Sequence, residues 1–197
     1  MSKKKLDLPP PNILIPKNFD VLPKDPELSG TPILLQKFEN ADLWYKKDDK
    51  FERPHAQVKM KLYTNDNGFC IDGTKKLFVN VWKEVYDEYL RELKYMADCA
   101  NLTFSCVQVY DSLNFSWSGF NDSMPNFILE SIRKMQEMKE HNLEDIFNNV
   151  KEKLMMEWKN HYLNQSYRQA LSTFPLLIYE KQVEMRTLRK LLEPYTY

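Results

Sequence analysis

The sequence predicts an α+β domain in which an antiparallel sheet carries helices packed on one face. Three observations point there. Ala56, Val58, Met60 and Leu62 alternate with Gln57, Lys59 and Lys61, the period of two expected of a half-buried strand. The period then lengthens to three and four: Leu77, Phe78, Val81, Trp82, Val85, Tyr89, Leu93, Met96, Ala97 and Ala100 trace one long amphipathic helix over about 73–100. Strands stand before that helix, and a hairpin and several helices follow it.

The remaining elements follow in chain order. Pro9, Pro10, Pro11, Pro16, Pro23, Pro26 and Pro32 make residues 1–32 an extended arm, because proline fixes φ and removes a donor. Ile13, Leu14, Ile15, Phe19, Val21 and Leu22 make it too apolar for a free linker, so it is expected to lie against the body at 33–197. If it does, Phe19 is expected to be a buried anchor. Residues 33–39 and 42–47 read as two short strands around a turn at Asn40. Asp72 or Thr74 is expected to cap the long helix. Residues 102–110 and 113–119 read as a hairpin around Asp111-Ser112, with Leu113, Phe115 and Trp117 alternating with Asn114, Ser116 and Ser118. A turn is expected over Gly119–Ser123. Pro125 opens a helix to about Met138, with Phe127, Ile128, Ile132 and Met135 as its stripe. Asn142 caps a further helix whose inner face is Leu143, Ile146, Phe147, Val150, Leu154, Trp158 and Tyr162. One or two more run from Ser166 to about Leu192, with Pro175 expected to interrupt them.

Composition narrows the function classes. Lys plus Arg and Asp plus Glu are both 28, so the net charge is zero, without the basic excess that phosphate binding leaves. No nucleic-acid or membrane partner is expected. Lys3-Lys4-Lys5 reads as a solvated terminus. No signal peptide is visible, and Cys70, Cys99 and Cys106 form no CxxC. They read as free thiols in a reducing compartment, which makes a cytoplasmic location the expectation. The sequons at Asn101, Asn114, Asn121 and Asn164 read as chance matches in an Asn-rich chain.

No catalytic chemistry assembles from the residues. Zinc hydrolases need two or three His or carboxylate ligands about a helical turn apart. Only His55, His141 and His161 are present, without HxxEH or HxxxH. Glu137 with His141, and Glu157 with His161, are i,i+4 pairs that read as solvated helix surface. There is no GxSxG and no glycine-rich phosphate loop. Asp48-Asp49 and Asp87-Glu88 read as a polar turn and a helix face rather than acid/base pairs. Phe78, Trp82, Tyr86 and Tyr89 read as core. Asp48, Asp49 and Glu52 cancel the field of Lys46, Lys47, Lys50 and Arg53 beside Trp44 and Tyr45. No catalytic, cofactor-binding or metal-binding residue is therefore assigned.

Two segments carry a resemblance. Leu8-Pro9-Pro10-Pro11-Asn12-Ile13-Leu14-Ile15-Pro16-Lys17-Asn18-Phe19 is similar to the "LPxPNxFIPxNF" arm of the insulysin-type (M16) zinc metallopeptidases, with Leu14 where the family has Phe. Leu43-Trp44-Tyr45-Lys46-Lys47-Asp48-Asp49-Lys50-Phe51, followed by Pro54, resembles the "LWYKxDDxFxxP" opening of their third domain. Asp98-Cys99-Ala100-Asn101-Leu102 and Ser118-Gly119-Phe120-Asn121-Asp122 resemble a helix end and an "xGYND" turn of the same domain. The likeness spans about residues 6–197 and thins beyond about residue 165.

The resemblance implies a non-catalytic copy of the family's αβ domain. The family's zinc lies on HxxEH of the first long helix of another domain, and the matching helix here, about 73–100, has no His. The Arg and Tyr that serve the family's transition state belong to a further domain. The implied role is structural: part of the C-terminal wall enclosing a peptide, with residues 6–32 as the joint between two halves. The implied partners are the other domains of a parent peptidase, peptide substrates within its chamber, and a second copy of the chain. Ending at Glu193-Pro194-Tyr195-Thr196-Tyr197, the chain reads as C-terminally truncated, either an excised piece or a shortened gene product. Two other readings stand beside this one: a stand-alone pseudo-peptidase interaction module and an unrelated α+β binding domain.

Overall fold

The computed structural model describes residues 10–21, 23, 30–48, 50–63, 73–109, 112–178 and 182–197. Cys70, Asp72 and Asp111 therefore lie outside the described residues. Strands β1 (Ile33–Lys37) and β2 (Asp42–Tyr45) pair as a small antiparallel ribbon of their own, with a register shift between Leu34 and Gln36. The main sheet is three-stranded, in the order β3 (His55–Tyr63), β5 (Ser112–Phe120), β4 (Thr103–Val109), antiparallel throughout. The long helix is two: α1 (Gly73–Tyr89) and α2 (Arg91–Cys99). After the sheet come α3 (Met124–Glu137), α4 (Glu144–Asn160), a 3-10 turn at His161–Leu163, α5 (Ser166–Ile178) and α6 (Met185–Leu192).

The alternation read from the sequence sorts the sheet into two faces. On β5, Leu113, Phe115 and Trp117 are buried. Across from them stand Leu62, Met60 and Val58 of β3, and Gln108, Cys106 and Phe104 of β4. Helices α1 and α2 pack on β4 and α3 packs on β5, while α4 and α6 pack on α1 as an outer layer. Leu77, Val79, Val81, Val85 and Tyr86 make α1 the middle of this stack. Burying such side chains removes about 25 cal/mol of free energy per Å² of apolar surface taken from water.

Several expectations need correction. The helix over 73–100 breaks at the buried Leu90, although its N–H still donates to Tyr86 O (2.9 Å) and its carbonyl accepts from Lys94 N (2.8 Å). Thr74 lies inside α1 rather than capping it. Gly119 is not the start of a turn but the penultimate residue of β5, opposite Ala56. It has φ +143, and a Cβ there would stand 2.6 Å from Asn101 O and 2.6 Å from a Leu102 methyl, so only glycine lets the two main chains meet. Pro175 does not interrupt its helix, since α5 runs to Ile178. The carbonyl that loses its partner belongs to Leu171, an exposed residue on an exposed helix, where water can replace the bond.

Candidate functional site: the seat of the arm and the uncovered apolar faces

Residues 12–19 lie against the body, held at three points. Asn12 accepts a hydrogen bond from Leu14 N (2.9 Å) and donates from Nδ2 to Met96 O (2.8 Å), coupling an Asx turn to the end of α2. Leu14 is fully buried and belongs to the main core. Asp122, just past β5, accepts from Lys17 N (2.8 Å) and Asn18 N (3.1 Å) through a single carboxylate oxygen. These two backbone hydrogen bonds hold the Asp122 carboxyl below the usual carboxylate range. The expected anchor is corrected here: Phe19 is 53% exposed and only sets its ring edge-on to Phe120, with centroids 5.2 Å apart. Leu14 is the anchor in its place.

Elsewhere in the core, one polar chain ties three elements. Tyr86 Oη of α1 donates to Ser131 O (2.7 Å), and Trp117 Nε1 of β5 donates to Ser131 Oγ (3.0 Å). The Ser131 hydroxyl donates to Ile128 O (2.8 Å), which completes its valences inside the core. Burial, together with the nearby Cys106 and Asp87 and against the hydrogen bond at Ser131, pushes the Tyr86 phenol up, so it stays a neutral donor. On the outer side of α1, Glu84 meets Lys83 (3.0 Å) and Lys153 of α4 (2.9 Å). Burial alone would raise Glu84, but the two lysines outweigh it and hold the carboxyl low.

The titratable residues weighed in the sequence stand apart. His55 lies against Phe120 (4.6 Å between ring centroids) and His141 beside Tyr89 (5.9 Å). His161 shares a hydrogen bond with Ser172 Oγ (2.9 Å). Glu137 pairs with Arg133 (3.3 Å) and Lys134 (3.4 Å), Asp87 with Lys94 (2.7 Å), and Glu88 with Arg91. Asp48 accepts from Lys50 N (3.0 Å). Imidazoles with three different neighbourhoods do not fit a zinc centre. Among the described residues, no three His, Cys, Asp or Glu stand where they could hold one metal ion. Cys99 and Cys106 are unpaired, and burial pushes the Cys106 thiol up to about 12, a protonated and unreactive form. No helix among the described residues is long and apolar enough to cross a membrane.

What the surface offers is apolar area. No residue of α5 is buried, and Leu171, Phe174 and Leu177 point into solvent. The β1–β2 ribbon exposes Leu35, Phe38, Leu43 and Trp44. An open groove of about 540 Å³ runs between α1 and α4, with Phe78, Trp82 and Met138 in its wall and Tyr197 across it. Exposed apolar side chains gathered on one element are typical of contact surfaces. Sequence reasoning missed Asn12, Leu14 and Asp122 as the residues that fix the seat, and Ser131 as the link between α1, α3 and β5. Only the polar residues flanking the proline run hinted at the first.

Comparison with known proteins agrees with this architecture. Residues 1–190 match the family model described as "Middle or third domain of peptidase_M16". The chain is 28% identical over 193 residues to human insulin-degrading enzyme, covering 98% of this chain and 18% of that protein. It is 30% identical over 176 residues to insulin-degrading enzyme-like 2 of Arabidopsis thaliana, covering 88% and 18%. The crystal structure of pitrilysin superimposes with a TM-score of 0.84 at 18% identity, over 97% of this chain and 20% of that one, and so shares the fold. The chain thus spans a fifth or less of the length of these relatives. Its arm, its sheet-and-helix body and its matched residues agree on one conclusion: the chain belongs to the middle or third domain of the M16 metallopeptidases.

Proposed function

We propose that the chain is a non-catalytic structural domain of an insulysin-like zinc metalloendopeptidase, forming part of the wall that encloses a peptide while another domain cuts it. One observation carries this reading. Helix α1, which follows the first strand of the main sheet, holds its place with Leu77, Val81, Val85 and Tyr86 and contains no histidine. A zinc hydrolase needs imidazole and carboxylate groups converging on one point. The exposed faces of α5 and of the β1–β2 ribbon support contacts with neighbouring domains of the parent, or with a second copy of the chain. The seated arm supports a joint whose C-terminal end is fixed to this wall. The unpaired thiols of Cys99 and Cys106 suit a reducing compartment such as the cytoplasm, which a fluorescent fusion of the parent would test.

Zinc content and hydrolysis of fluorogenic peptides, measured on this chain and on the full-length parent, test the reading. The parent is expected to hold zinc and cleave, and the chain alone to do neither. Stoichiometric zinc with peptide cleavage in the 197-residue protein would overturn it.

A further inference from the structure

Helix α5 is amphipathic, yet its apolar face meets solvent. At about 100° per residue, Tyr167, Ala170, Leu171, Phe174, Leu177 and Ile178 fall within a stripe about 120° wide, the width of a core-facing stripe. Tyr167, Leu171, Phe174 and Ile178 are each more than half exposed, and Leu177 more so. The opposite face is the one tied down. Gln169 Nε2 donates to Tyr162 O (3.0 Å) and Asn164 O (2.7 Å), and Ser172 Oγ shares a hydrogen bond with His161 (2.9 Å). These bonds hold α5 to the turn just before it, and among the described residues no helix or strand packs substantially on it. A helix of 13 residues is marginal in water by itself, because nucleation is costly, and Pro175 removes one of its hydrogen bonds. A full-width apolar stripe on so short a helix is one half of an interface.

Charge says which other half fits. Ser166–Ile178 contains no carboxylate, and its one charged residue is Arg168. Arg168 stands in the first turn, where the helix dipole is positive and disfavours a cation, and its Nε donates to the neighbouring Tyr167 Oη (3.1 Å). A second copy of the same helix, laid antiparallel, answers both needs. With a two-fold axis at the centre of the stripe, Leu171 faces Phe174 of the second copy, Tyr167 faces Ile178, and Arg168 faces Leu177. Each guanidinium then reaches the negative C-terminal end of the other helix. The two arginines lie about 13 Å apart along the axis, beyond the Debye length of about 8 Å at physiological salt. A parallel pair would set them side by side and is disfavoured.

We propose that the apolar face of α5 is a self-association surface, on which two copies of this chain pair as an antiparallel, two-fold helix couple. The contact is short, so the dimer is weak and concentration-dependent. Zinc and cleavage do not enter its measurement, so the pairing and the function proposed above can fail separately.

Sedimentation of the 197-residue protein is expected to show a reversible dimer. Amide exchange over Ser166–Ile178 is expected to slow as concentration rises, while the β5 amides keep their rates. Phe174→Glu, at an exposed position, is expected to weaken the dimer at least about tenfold, with unchanged β5 exchange showing that the body still folds. A charge pair at the two ends of the stripe reads the geometry. Tyr167→Glu and Ile178→Lys should each associate poorly alone, and their equimolar mixture should recover to within about threefold of the original affinity. These positions face each other in the antiparallel couple and lie about 16 Å apart along a parallel one. A protein monomeric at all concentrations, an undiminished dimer in Phe174→Glu, or a mixture no tighter than its components would overturn the proposal. So would α5 amides that are protected in the full-length parent at concentrations where the parent is monomeric, since a neighbouring domain would then own the face.

Discussion

Helices α1 and α5 carry similar apolar patterns and meet opposite fates. In α1, five residues are buried between the sheet and the outer helices. In α5, none is, and Leu177 is 81% exposed. Periodicity reports that a helix has an apolar face. Whether that face is covered within the chain depends on what packs over it, which for α1 is β4, α4 and α6.

The contrast can be broken or sharpened by mutation, beginning at its centre. Trp117→Ala removes an aromatic ring that packs near Phe104 (5.4 Å) and Phe115 (6.0 Å), and with it the N–H donated to Ser131 Oγ. A loss of about 3–5 kcal/mol in urea unfolding, with unchanged slope, is expected. A loss under about 1 kcal/mol would mean the core is not where the packing puts it.

The arm comes next. Leu14→Ala should cost about 3 kcal/mol, as for a buried leucine, while Phe19→Ala should cost no more than about 1 kcal/mol because half its ring already meets water. Equal losses would undo the assignment of Leu14 as the anchor.

Acid should loosen the same arm. Asp122 has a folded pKa below its unfolded one, so its contribution is present above the unfolded value and is lost as pH falls through the folded value. The amide resonances of Lys17 and Asn18 should titrate together below the ordinary aspartate range and stay still in Asp122→Asn. Movement of those amides at neutral pH would exclude Asp122 as their acceptor.

The smallest effect belongs to the uncovered helix. Leu177→Ser should change the melting free energy by less than about 0.5 kcal/mol. It should reduce self-association in sedimentation, since the residue touches solvent in the monomer. A large destabilisation would show that α5 is covered after all.

The elements that sequence alone could reveal are those whose signal is local. The alternation at Ala56–Leu62, the helical stripe from Leu77 and the proline opening α3 each repeat within a few residues. The seat of the arm could not be read that way. Asn12 reaches Met96 across 84 positions and Lys17 reaches Asp122 across 105, and an irregular proline segment has no period to say which apolar residue turns inward. Phe19 has the larger side chain and Leu14 the buried one, so size does not choose direction. Ser131 carries no local signal either. A serine on a helix reads as solvent-facing unless a tryptophan far along the chain is known to donate to it. The three histidines, spread over 55, 141 and 161, also stand apart in the fold.

The grip on Leu14 bears on where this unit can be cut. Proline content suggests a boundary near residue 32, but a version begun at residue 33 would leave a leucine-sized hole in the core, and it would leave Met96 O and Asp122 short of the donors they hold now. A protein trimmed to start before Asn12 keeps that plug, and with it the stiffness with which any pull on the arm would be passed into α2 and the end of β5.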